Sequence, residues 1–163
     1  MKAVVQRVAS ASVEVDGRTV SAIGPGLLVL VGVHDLDTHS DADYIKFDKW
    51  ACVYWQVMQK NFEVLLVSQF TLYGILKGNK PDFHVAMGPD RAKSFYASLV
   101  ERFQRSYKSE AVKDVALEEP CEEMEREEQV NLVNDGPVTM QLESPNSSRN
   151  TNGAAEEKTV NKE

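Results

Sequence analysis

The sequence offers little of what a metal-dependent or nucleophilic hydrolase needs. Its two cysteines, Cys52 and Cys121, are far apart and have no metal-ligand spacing, so we interpret them as reduced thiols of an intracellular protein. The three histidines, His34, His39 and His84, are not accompanied by a nucleophile-elbow sequence. A phosphate-binding glycine loop is also missing. These absences favour chemistry that depends on main-chain groups, hydroxyls and shape.

Long hydrophobic runs are absent as well. No stretch approaches the roughly 20 apolar residues that a membrane-spanning helix requires. Residues 1–8 alternate apolar and polar side chains and include charge, unlike the apolar block of a signal peptide. We therefore expect a cytoplasmic protein with no membrane association.

Acidic residues are concentrated near the end of the chain. The 163 residues carry a net charge of −7, yet residues 1–113 hold 14 basic and 12 acidic side chains, whereas residues 114–163 hold 4 and 13. Because the larger part is mildly basic, the overall acidity does not exclude a nucleic-acid partner. The length fits one domain, residues 1–144, followed by a polar tail, residues 145–163, that we expect to be disordered.

The hydrophobic periodicity predicts a single α/β domain. The run from Leu27 to Val33 is apolar on both faces, as in a central strand that is covered on both sides. Asp16 and Gly17 predict a tight hairpin turn between two strands. The predicted strands are 2–8, 11–15, 19–23, 27–33, 62–67, 129–133 and 138–143, and the predicted helices are 38–50 and the segment after Asp90, while 51–59 has no clear period.

Two short runs place hydroxyl and amide side chains at the ends of strand-like segments. The first is Ser68-Gln69-Phe70-Thr71-Leu72, and the second is Asn134-Asp135-Gly136-Pro137-Val138-Thr139. At such ends the backbone donors of a sheet can face a ligand. The residues alone also fit a simpler interpretation, in which the hydroxyl residues end a strand and the Gly-Pro pair forms an ordinary trans turn.

A third segment combines cations, a flexible glycine and an aromatic ring. Its residues are Lys77, Gly78, Asn79, Lys80, Pro81, Asp82 and Phe83. This composition can hold a phosphate and stack a base, and it is equally compatible with an ordinary loop. A Ser or Thr hydrolase driven by His84 is the weaker hypothesis, because the sequence places no base beside the candidate hydroxyls.

Taken in order along the chain, four segments closely resemble the D-aminoacyl-tRNA deacylase family. They are residues 1–8 with 11–13, the run from Ser68 to Leu72, the Lys77–Phe83 segment and the run from Asn134 to Thr139. The resemblance covers residues 1 to about 45, 60–114 and 129–144. It implies hydrolysis of the ester that links a D-amino acid, or glycine, to the terminal adenosine of tRNA, without a metal or another cofactor.

The resemblance also implies a homodimer with a β-sheet, barrel-like core and packed helices. In that arrangement a cis Gly136-Pro137 from one subunit enters the partner's pocket and leaves no room for the side chain of an L-amino acid. Arg7 holds this loop in place, and Asn134 and Thr139 belong to it. By the same resemblance we expect the catalytic residues to be Ser68, Gln69, Phe70 and Thr71, acting mainly through backbone donors and positioning, and the tRNA-end residues to be Lys77, Gly78, Asn79, Lys80, Pro81 and Phe83.

Two segments, 46–60 and 115–128, depart from the family pattern. The first is too short, and the second replaces a short connection with an unrelated acidic sequence. Both differences have sharp edges, which is typical of alternative splicing or of an imperfect gene model. They leave a second hypothesis open, in which the chain binds an aminoacyl or tRNA 3′ end without turnover.

Overall fold

A computed structural model of the chain describes residues 1–45, 57, 59–116 and 127–145. Predictions for the second half of the helix 38–50, for most of the segments 46–60 and 115–128 and for the tail from residue 146 lie outside the described residues. In the described ranges, neither helix is long and apolar enough to cross a membrane.

In the described ranges, the architecture is one curled sheet with a hairpin and packed helices. The strands are β1 (Lys2–Val15), β2 (Arg18–Ile23), β3 (Gly26–Gly32), β4 (Glu63–Ser68), β5 (Ile75–Lys77), β6 (Lys80–Asp82), β7 (Val112–Val115) and β8 (Glu128–Glu143). The helices are α1 (His39–Ile45) and α2 (Pro89–Ser106), and 3₁₀ turns span Phe70–Tyr73 and Ser109–Ala111. The sheet order is β2-β1-β3-β4-β7, and β8 also pairs with β1.

The long strand β1 organises the antiparallel part of the sheet. It pairs with β2 and β3, and it pairs with β8 from one end to the other. Asp16 and Gly17 have φ values of 50° and 73°, as in the mirror-image turns that two-residue hairpins prefer, so the predicted turn is confirmed. The predicted strands 2–8 and 11–15 merge into β1, and 129–133 and 138–143 merge into β8.

Side-chain contacts close the curled sheet toward a barrel. The Nζ atom of Lys113 on β7 donates to the carbonyl oxygen of Ala22 on β2 at 2.7 Å. The same ammonium lies 2.8 Å from Oε1 of Glu63, and Oε2 of that carboxylate accepts a hydrogen bond from the N–H of Gly24 at 3.1 Å. Strands β7 and β4 are thereby tied to β2, which confirms the barrel-like core expected from the sequence.

Apolar side chains fill both faces of the sheet. Successive residues of a strand point to opposite faces, so β3 contributes Leu27 to one cluster and Leu28 to the other. The outer cluster includes Leu99 and Phe103 from α2, as the helical periodicity predicts. Strands β3, β4 and β7 run parallel, so their carboxyl ends meet at one edge beside the start of α2.

Candidate active site

A cavity of about 310 Å³ opens where the parallel strands end. This is the edge at which open sheets with parallel strands commonly bind ligands, and the volume lies at the lower end of the range for small-molecule sites. The cavity is lined by Val31, Val33, Ser68, Gln69, Phe70, Met87, Pro89, Asp90, Ala92, Lys93 and Ala116. Three residues of the first run predicted from sequence, those at positions 68–70, therefore line it.

The first run turns the backbone toward this cavity. The N–H of Gln69 donates to the carbonyl oxygen of Val31 at 2.7 Å, after which the chain enters the 3₁₀ turn that begins at Phe70. The side-chain amide of Gln69 donates to the hydroxyl of Thr71. The first N–H groups of a helical turn have no acceptor within it, and those of Phe70 and Thr71 donate to no acceptor among the described residues. They are available to a ligand.

The Lys77–Phe83 segment is a hairpin, made of β5 and β6, that packs against the first run. The rings of Phe83 and Phe70 meet edge to face, with centroids 5.0 Å apart. Gly74 makes this approach possible, because a Cβ atom there would lie 2.8 Å from the Phe83 ring. Gly78 adopts a φ of 63° in the turn, which a glycine accepts without strain.

Asp82 anchors the charged side chains of the hairpin. It forms an ion pair with Lys77, and its Oδ1 atom lies 2.9 Å from Nδ1 of His84. These neighbours, Lys77 first, hold the pKa of Asp82 well below its usual range. The imidazole of His84 thus contacts a carboxylate of the hairpin, and His84 is not among the residues that line the cavity.

The second run forms a loop that leaves the ladder between β1 and β8. Gln6 pairs with Thr139 and Val8 pairs with Asn134, so residues 135–138 stand out opposite Arg7. The Nε atom of Arg7 donates to the carbonyl oxygen of Asp135 at 3.2 Å and lies 3.0 Å from its carboxylate. The contact that the resemblance predicts between Arg7 and the loop is present.

Asn134 closes the base of this loop with its side-chain amide. Its Oδ1 atom accepts a hydrogen bond from the N–H of Val138 at 2.8 Å, and its Nδ2 atom donates to the carbonyl oxygen of Val138 at 3.2 Å. Nδ2 also donates to the hydroxyl of Thr139 at 3.1 Å, and that hydroxyl accepts a further bond from Gln6 at 3.3 Å. Asn134 and Thr139 therefore position the loop.

Gly136 is required at the tip of the loop. Its φ of 124° is a conformation that other residues rarely adopt, and a Cβ atom there would lie 2.9 Å from both Arg7 Nη2 and Val138 Cγ2. The Gly136-Pro137 peptide bond is cis, as the resemblance implies. Although residues 134–139 are all described, none of them lines the cavity of their own chain.

Helix α2 contributes a wall of the cavity that was not predicted from the sequence. Met87, Pro89, Asp90 and Lys93 line the cavity at the start of this helix. The pattern after Asp90 predicted a helix but only identified its buried face. The sheet topology could have identified this wall. Strand β7 is parallel to its neighbour β4, so the helix that leads back to the start of β7 has to begin near the carboxyl end of β4. In the described part of the chain, no group of three or more His, Cys, Asp or Glu side chains is arranged to hold a metal ion.

A protein-family profile matches most of this chain. The sequence profile of the family described as D-Tyr-tRNA(Tyr) deacylase matches residues 4–143. The chain belongs to this family. The match includes both runs and the hairpin between them, so the resemblance noted from four short segments extends across the whole described domain.

Two curated members of the deacylase family illustrate the similarity. D-aminoacyl-tRNA deacylase 1 of Bos taurus is 45% identical over 155 residues, covering 89% of this chain and 71% of the relative. D-aminoacyl-tRNA deacylase of Dictyostelium discoideum is 41% identical over 155 residues, covering 88% of this chain and 98% of the relative. Among solved structures, the c-Myc DNA Unwinding Element Binding Protein superposes with a TM-score of 0.72 at 44% identity, covering 89% of this chain and 99% of that chain.

Proposed function

We propose that this chain hydrolyses the ester bond between a D-amino acid and the terminal adenosine of tRNA, releasing the free amino acid and the tRNA. The observation that carries the proposal is the family match over residues 4–143, with relatives named D-aminoacyl-tRNA deacylase. The proposed place of action is the cytoplasm, where aminoacyl-tRNA is used in translation. Removing D-aminoacyl esters there is chiral proofreading.

The proposed chemistry uses the cavity at the carboxyl ends of the strands. The N–H groups of Phe70 and Thr71 donate to the carbonyl oxygen of the ester as negative charge develops on it during attack by water. An aminoacyl ester is already activated, and the adjacent ribose 2′-hydroxyl helps to position the water, so orientation supplies much of the acceleration. Gln69 supports this arrangement by hydrogen bonding to the hydroxyl of Thr71. A side-chain general base is not needed.

The proposed chiral filter comes from a second copy of the chain. The loop at Gly136 and Pro137 does not line the cavity of its own chain, so we place it in the cavity of a two-fold related partner. Strand β8 supports this assembly, because it pairs only with β1 among the described strands and exposes 38% of Leu132 and 58% of Val133. The carbonyl oxygens of Gly136 and Pro137 then contact the amino group and Cα of the bound substrate, and the loop blocks the direction that an L side chain would take, while glycine, which has no side chain, is accepted.

The proposed contact with the tRNA end is the β5–β6 hairpin. Lys80 is exposed beside the turn, and Lys77 is exposed although it pairs with Asp82. The contact between the rings of Phe83 and Phe70 joins the hairpin to a residue that lines the cavity, and this supports a role for the two cations in binding the tRNA end. The remaining residues of the segment, Gly78, Asn79 and Pro81, shape the turn.

Hydrolysis of matched esters tests the proposal. The purified protein is incubated with an excess of D-tyrosyl-tRNA or L-tyrosyl-tRNA, and release of the labelled amino acid is followed over several turnovers. We expect the D-ester to be consumed and the L-ester to be lost only at its spontaneous rate. Binding of the D-ester without turnover would instead support the binding-only hypothesis, and equal loss of both esters would exclude a chiral filter.

A further inference from the structure

Lys93 is a cation at the cavity that the proposed chemistry does not use. It lies in the second turn of α2, is exposed to solvent and lines the same cavity as Ser68, Gln69 and Phe70. An exposed residue that also lines a cavity lies at its rim. A ligand that reaches from the cavity into solvent over this part of the rim passes close to Lys93.

The charge of Lys93 is not neutralised by any described side chain. Asp90 lies one turn earlier on the same helix and also lines the cavity, yet no ion pair within 4.0 Å joins the two. The neighbouring Arg91 is engaged with Asp35, at 2.7 Å. Among the described residues, Lys93 therefore has no acidic partner at the rim and can meet an anion of the substrate.

The substrate carries an anion next to the esterified nucleoside, because the terminal adenosine of tRNA is joined to the preceding nucleotide through its 5′ phosphate. Resting on the proposed function, we infer that Lys93 contacts the phosphate that joins the terminal adenosine of tRNA to the preceding nucleotide, and so favours esters carried on RNA over free aminoacyl nucleosides. The aminoacyl ester and its ribose occupy the cavity, and the RNA chain has to leave through the rim. Lys93 is then a specificity residue that acts in binding and leaves the chemical step unchanged.

Binding to two non-hydrolysable probes tests this inference. The first probe is a trinucleotide that ends in adenosine and carries D-tyrosine through a 3′-amide, and the second is the corresponding 3′-amide of adenosine alone, which has no phosphate. We expect Lys93→Gln to weaken binding of the trinucleotide about two- to fivefold, as for an exposed ion pair. For the trinucleotide, the slope of log affinity against log salt concentration is smaller in magnitude by about 0.7 in Lys93→Gln than in wild type, as expected when one contact to a single-stranded phosphate is lost. Binding of the nucleoside probe stays unchanged, and Lys93→Arg retains the affinity for the trinucleotide.

Arg105→Gln is the matched control. It removes one positive charge from the same helix, about 18 Å further along its axis, at a side chain that is 78% exposed and pairs with Glu101. An equal loss for both probes in Lys93→Gln, or no loss for either, would overturn the inference. This binding test and the hydrolysis test can fail separately. If wild-type protein binds the probes but does not hydrolyse D-tyrosyl-tRNA, only the proposed function is contradicted.

Discussion

Asn134 shows how one side chain can define the shape of the loop at Gly136. An asparagine offers a donor and an acceptor on the same short amide, and here both are used across the loop, to the N–H and the carbonyl oxygen of Val138. Aspartate has no donor and alanine has neither group. The conformation of the loop at Gly136 thus depends on a residue that need not contact the substrate.

Replacing Asn134 by alanine tests this role. The substitution removes the three hydrogen bonds of the amide, which close the base of the loop. We expect kcat/KM for D-tyrosyl-tRNA to fall by about tenfold or more, because a small displacement of the loop lowers the rate of a reaction that depends on orientation. Asn131→Ala is the control, because the Asn131 amide lies on the same strand and donates to the carboxylate of Glu14. Equal kinetics in the two variants would argue against a positioning role for Asn134.

The N–H of Phe70 is the second feature at residue scale. Phe70→Pro removes this donor at the first position of a helical turn, where proline is tolerated, whereas Phe70→Ala removes the ring and keeps the donor. We expect kcat of the proline variant to lie about 100-fold or more below that of the alanine variant, the usual cost of one lost oxyanion donor. Near-equal kcat values in two variants of similar Tm would exclude this N–H from catalysis.

At the scale of elements, the closure between β7 and β2 supports the edge that carries the cavity. Lys113 hydrogen bonds to Ala22 and to Glu63, and through that carboxylate to Gly24. The hydrogen bond from Lys113 is the main reason that the pKa of Glu63 lies below its usual value of 4.5. The pair therefore stabilises the fold above about pH 4.5 and loses its contribution as the pH falls through the lowered pKa.

Lys113→Met tests this closure in a pH-dependent way. We expect the free energy of unfolding at pH 7 to fall by about 1 kcal/mol, because the groups are partly exposed and solvent screens the pair. The difference from wild type narrows below about pH 4.5, where Glu63 takes up a proton in the unfolded chain while the folded wild type still keeps it ionised. Urea titrations from pH 3.5 to pH 7 measure it, and a difference that stays constant over this range would contradict the assigned pKa effect.

Most elements could be predicted from the sequence, because their signals are local. The alternation in β1, the apolar run of β3 and the helical spacing after Asp90 each reflect burial of one element against the sheet. The merging of 129–133 and 138–143 into β8 could not be predicted, since it depends on both segments pairing with β1, more than 100 residues earlier. The wall from Met87 to Lys93 was missed for the same reason, as the order of the parallel strands decides which residues meet there.

At the scale of the whole molecule, the proposed function places the two runs in different halves of a site. The first run lines the cavity and the second run, on the edge strand β8, does not line it within one chain. A two-fold symmetric pair uses the same surface twice, so each loop can enter the other chain's cavity. In the proposed assembly, function depends on two chains, and the central claim to test is that one pocket is built from both.

Mixing two inactive variants tests that claim most directly. Phe70→Pro keeps the loop and loses the cavity donor, whereas Gly136→Val keeps the cavity and distorts the loop through its clash with Arg7 and Val138. We predict that each variant alone releases D-tyrosine from D-tyrosyl-tRNA at no more than about a hundredth of the wild-type rate. After subunit exchange the mixture recovers about a quarter of the wild-type rate, because half of the dimers are mixed and one of their two sites is intact. No recovery from two folded, dimeric variants would contradict the account.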